Sequence, residues 1–125
     1  MKIRAPISVL RRATRQGHRG FPVGTVAFYG PDDQRASKVV LGIIHYDGDP
    51  QLHKWTSPTG DLRRDTAVLQ EIINRMREHG VKSVAMADRI IGCPHEEGVD
   101  YPEGQGCPQC GFWRGRNRFT GEYEL

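Results

Sequence analysis

The chain has 125 residues, 37% hydrophobic and 26% charged, which predicts one domain with a modest core. Its longest mostly apolar run, residues 39–44, contains a glycine and is too short to cross a bilayer, so a membrane span is excluded. Three cysteines cannot all pair with one another, and no apolar signal segment opens the chain, so a reducing cytoplasm is the expected location.

The formal charge of +3 is unevenly spread. Residues 1–20 hold Lys2, Arg4, Arg11, Arg12, Arg15 and Arg19 and no acid, giving +6. Residues 21–110 carry nine basic against thirteen acidic side chains, giving −4, and the remaining tail carries +1. A basic leader of this kind wraps phosphate, lies on an acidic membrane, serves as a targeting sequence, or does nothing. The expectation is a disordered arm over 1–20 and a single α+β domain over 21–125.

After the turn chemistry at Gly20, Val23–Tyr29 (VGTVAFY) is rich in β-branched and aromatic residues and predicts a strand, closed by Gly30, Pro31, Asp32 and Asp33. Residues 38–46 (KVVLGIIHY) predict a second strand, antiparallel to the first and apolar enough to be buried on both faces. Residues 52–56 predict a short third strand containing Trp55. Over 62–79, Val68, Leu69, Ile72, Ile73 and Met76 recur at one-turn intervals, the pattern of a helix with one buried stripe and a solvated face of Arg63, Arg64, Arg75 and Arg77. Asp61 or Asp65 can cap its start, and Gly80 suits a left-handed end. Residues 81–87 return as a strand. The predicted fold is thus α+β, or a small α/β sandwich: a mixed sheet of three to four strands with one long amphipathic helix, followed by a loop-rich zinc-binding segment over 92–113.

That last segment reads GCPHEEGVDYPEGQGCPQCGFW and contains every cysteine. Cys93 and His95 are separated by one residue, Cys107 and Cys110 by two, and an eleven-residue loop with three glycines joins the pairs. Such a loop cannot build an apolar core, whereas four soft or borderline donors suit tetrahedral zinc. The predicted cofactor is zinc on Cys93, His95, Cys107 and Cys110, with His53 or His79 as substitutes for His95. Buried thiols without a metal are the competing reading.

The blocks TVAFYGPDDQRASKVVLGI and SVAMADRIIGCPHEEGVDYPEGQGCPQCGFWRGRNRFTGE resemble those of a family of short, uncharacterised bacterial proteins over roughly residues 22–122. The resemblance implies that the metal block is the distinguishing feature. Gly111 stands where that pattern has proline, which leaves the ligands untouched.

Two enzyme readings compete with a binding module. His95, Glu97, Cys107 and Cys110 carry the letters of the zinc deaminase signature, with Glu97 as proton shuttle. Against it, Gly106 replaces the expected proline, the intervening loop lacks the expected helix and strand, and Cys93 can close the position a catalytic water needs. The order of elements also opens like a ribonuclease H-like fold, with Glu71 and Asp88 near two of its metal-binding acids, but the first strand offers no acid. His45, Asp47 and His53 also cluster near strand ends, where surface or satisfied core roles are commoner. After the ligand pair, Phe112, Trp113, Arg114, Arg116 and Arg118 mix aromatic and cationic side chains. Such a run stacks on bases and binds phosphate, or else packs over the metal site. The expected function is a small zinc-stabilised module with a structural or protein-interaction role, or one binding single-stranded nucleic acid through Trp113, Arg114, Arg116 and Arg118.

Overall fold

The computed structural model describes residues 5–15 and 20–114. Strands β1 (Val23–Tyr29), β2 (Lys38–Ile44) and β3 (Gln51–Thr56) form an antiparallel meander, helix α2 (Thr66–Glu78) crosses over, and β4 (Ser83–Ile90) returns parallel to β1. The sheet order is β3-β2-β1-β4, an α+β architecture with the cysteine- and histidine-rich segment after β4.

Strand alternation gives the sheet two unlike faces. Pairing of Val26 with Leu41 and of Phe28 with Val39 aligns the buried residues of β1 and β2 on one face, where His53 and Trp55 of β3 join them. The stripe Leu69, Ile72, Ile73 and Met76 of α2 covers that face, as the helical spacing predicts. The opposite face presents Thr25, Ala27, Tyr29, Lys38, Val40, Leu52 and Lys54, and no helix among the described residues covers it. Expected burial of β2 on both faces is met on the helix side and in part on the other, where Lys38 and Gly42 are buried and Val40 and Ile44 half-buried.

Both proposed caps are used. Asp61 accepts from the Arg63 N–H to start a single 3-10 turn, and Asp65 accepts from the Val68 N–H at 3.1 Å to start α2. At the other end Gly80 has φ +64°, its N–H donates to the Arg77 carbonyl, and the Val81 N–H donates to the Met76 carbonyl. This paired closure of the last turn requires the left-handed residue that glycine supplies.

The N-terminal segment departs from the expected arm. Pro6–Arg15 form helix α1, which packs on β4 and α2. Leu10 is fully buried in the core, with Ile7 and Val9 against it. Ile7, Leu10 and Thr14 recur at helical spacing, so the segment buries one face while Arg11 and Arg12 stay exposed. The domain thus begins before residue 20. No helix among the described residues is long and apolar enough to cross a membrane.

Candidate metal centre

β4 delivers the chain to the turn between β1 and β2. The Ile91 N–H donates to the Phe28 carbonyl, and the Gly30 N–H donates to the Gly92 carbonyl at 2.9 Å. Gly30 is sterically fixed, since a Cβ there would collide with the Arg35 carbonyl. Next comes Cys93, then a loop with a bridge between Glu97 and Tyr101. Within it Asp100 accepts from the Glu96 N–H at 2.7 Å, and Tyr101 is buried.

The fold brings the four predicted ligands together. His95 Nδ1 lies 3.2 Å from Cys93 Sγ and 3.4 Å from the sulfurs of both Cys107 and Cys110. One donor atom from each residue falls within 4.8 Å of every other. All three thiols are free, and those of Cys93 and Cys110 are buried. The His95 N–H also points at Cys93 Sγ, at 3.3 Å. Neither substitute histidine takes part: His53 lies under the sheet with Nδ1 3.2 Å from Arg75 Nη1, and His79 ends α2 with its ring beside His45.

The three thiols of the cluster influence one another's ionisation. Burial, reinforced by the neighbouring Cys93 and Cys107, pushes the Cys110 thiol up to about 12, and burial also raises Cys93. At Cys107 burial again acts upward, but the Gln109 N–H, the Cys93 thiol and the Cys110 N–H outweigh it and lower the pKa. Three crowded thiols resist ionising together, and a bound metal ion reverses that balance by attracting the thiolate forms. The donor set can hold one metal ion.

Two further links pin the cluster to the sheet. Trp113 donates its indole N–H to the Gly30 carbonyl at 2.7 Å, packs on the core and meets Phe112 edge to face at 5.0 Å. Its polar atom is therefore engaged inside the protein, the covering role weighed against base stacking. Arg114 is exposed; Arg116 and Arg118 lie outside the described residues. On the other side Lys38, itself only 9% exposed, donates to the Pro94 carbonyl at 3.0 Å and to Glu96 Oε1 at 3.1 Å, and Lys54 grips the same oxygen. The ammonium groups of Lys54 and then Lys38 hold the Glu96 carboxyl below its usual range. Sequence reading missed this clamp. Its one available signal was a lysine heading an otherwise apolar strand.

Glu97 lies beside a small cavity of about 180 Å³ bordered by the three cysteines, and its Oε1 accepts from the Gly104 N–H. Cys93 joins His95, Cys107 and Cys110 as a fourth potential ligand. The ribonuclease H-like reading calls for acids on β1 and at Glu71 and Asp88. β1 carries none, Glu71 is bound by the Trp55 indole and by Arg75, each at 3.2 Å, and the Asp88 side chain lies outside the described residues. No protein family, curated protein or solved structure matches the chain.

Proposed function

We propose that the protein is a small binding module in which Cys93, His95, Cys107 and Cys110 hold one structural zinc ion. The observation that carries this reading is the position of His95 Nδ1, between 3.2 and 3.4 Å from all three sulfurs. Zn–S bonds of roughly 2.3 Å and Zn–N bonds of roughly 2.0 Å place tetrahedral N and S ligands about 3.5 Å apart, so these pairs need only a slight opening. Three thiolates and one imidazole also make the donor set soft enough to select zinc over magnesium or calcium.

A closed four-ligand site supports a structural rather than a catalytic role, because a catalytic zinc keeps one position for water. In this reading the zinc fixes a loop that has little apolar surface of its own, and the fixed loop displays a surface to a partner. Protein purified without added metal should contain close to one zinc per chain. Cys107→Ser and Cys110→Ser should abolish retention, and His95→Ala should weaken it. Glu97→Gln should leave zinc content unchanged. Metal-free protein with an unchanged proteolysis pattern between Ile91 and Trp113 would overturn the structural role.

A further inference from the structure

The metal loop stands over the uncovered face of the sheet and walls a cleft of about 500 Å³, within the size range of small-molecule sites. Thr25 and Ala27, short side chains on the central strand β1, make its floor between the taller Tyr29 and Leu52. Ala27, Val40 and Leu52 give the hollow an apolar part. On one side of it the ammonium groups of Lys38 and Lys54 converge on the single oxygen Glu96 Oε1.

The geometry of that convergence is informative. Two ammonium groups share one carboxylate oxygen, and Lys38 has only 11% of its side chain exposed to water. Glu97, the other acid bordering the cleft, turns its Oε1 to the Gly104 N–H. Each ammonium has three N–H donors. Pro94 and Glu96 account for two at Lys38, and Glu96 for one at Lys54. Glu96 thus offers the lysine pair a single oxygen, fewer acceptors than the two ammonium groups can use. A phosphomonoester brings about −1.5 to −2 charges and three acceptor oxygens.

We propose that this cleft binds a small phosphomonoester with a flat, apolar body, its phosphate taken by Lys38 and Lys54 in place of Glu96 and its body lying on Thr25 and Ala27. The proposal rests on the zinc reading, since the wall carrying Glu96 belongs to the loop that zinc would fix.

Phenyl phosphate is a suitable probe, titrated calorimetrically into the zinc-loaded full chain, with zinc content measured on every variant. The native protein should bind it saturably and more tightly than either phenol or inorganic phosphate alone. Lys54→Met should weaken binding by about tenfold or more through loss of a charge-assisted contact, and Glu96→Gln should tighten it by removing the competitor. Lys54 is 43% exposed, so its replacement tests the site even where Lys38→Met fails to fold. Zinc-loaded protein that shows no saturable binding, or the same affinity in native, Lys54→Met and Glu96→Gln forms, overturns the cleft proposal. Protein that holds no zinc yet shows the opposed effects of the two substitutions sustains the cleft and overturns the zinc reading instead.

Discussion

Gly30 joins three parts of the molecule at one peptide. Its N–H donates to the Gly92 carbonyl, its carbonyl accepts from the Trp113 indole, and the Arg35 carbonyl fills the space where a side chain would begin. Gly30→Ala should therefore destabilise the protein by about 1–3 kcal/mol, the usual cost of forcing atoms into a packed site. Trp113→Phe keeps most of the apolar cover and removes only the hydrogen bond, so a smaller loss of about 0.5–1.5 kcal/mol is expected. Urea denaturation of the three proteins gives the comparison, and Gly30→Ala at native stability would contradict the steric reading. A pH effect belongs to Asp61. Its carboxyl is held below the usual range, first by the Arg63 side chain and then by the backbone N–H groups of Arg63 and Ala36, which together outweigh burial. Because the folded pKa is depressed, the unfolded chain binds the proton more tightly. The contribution is present above the unfolded pKa, near 3.8, and is lost as pH falls from there through the lower folded value. Asp61→Asn should flatten that part of the acid stability profile while lowering stability at neutral pH; an unchanged profile would assign the acid limb to other groups.

Helix α1 shows how an element can be hidden by its charge. Six basic residues and no acid in the first twenty positions suggest an arm, yet Ile7 and Leu10 keep helical spacing, and Leu10 is among the most buried residues in the chain. Leu10→Ala should cost about 2–5 kcal/mol, as expected of a buried leucine, whereas Arg12→Gln on the exposed side should stay within about 0.5 kcal/mol. Thermal denaturation of the pair decides between a core element and an appendage, for an appendage would tolerate both changes. Other elements were legible because their signals are local. Val23–Tyr29 is a strand as read, Asp65 and Gly80 bound α2, and the ligand spacing identified four residues that the fold does bring together. What escaped depends on partners distant in sequence. β4 runs on through Asp88 and Arg89 to Ile90 because β1 pairs with it, through a register shift between Val26 and Phe28. The Lys38–Glu96–Lys54 clamp unites residues from β2, β3 and the metal loop, which no spacing rule connects.

The molecule as a whole is one sheet with different coverings on its two faces. Helices α1 and α2 bury one face through Leu10, Leu69, Ile72 and Ile73, a cohesive apolar contact independent of any metal. The metal loop stands against the other and, from Cys93 through Trp113, buries only Cys93, Tyr101 and Cys110. Beyond these it is attached by Trp113, which packs on the core and bonds to Gly30, and by hydrogen bonds and ion pairs at Lys38 and Lys54. Binding of zinc to such small sites contributes on the order of 10 kcal/mol. In the proposed zinc-bound state that contribution would act mainly on the loop, and the helix-covered face has its own core, so removing the metal should release one side of the protein first. After chelation, amide exchange should accelerate across residues 92–113 and at the Gly30 turn. Residues 39–43 of β2 and 69–76 of α2 should keep most of their protection. Uniform loss of protection would show that the helical side cannot hold the sheet without the loop, and unchanged exchange in 92–113 would show that the polar attachments hold the loop without a metal.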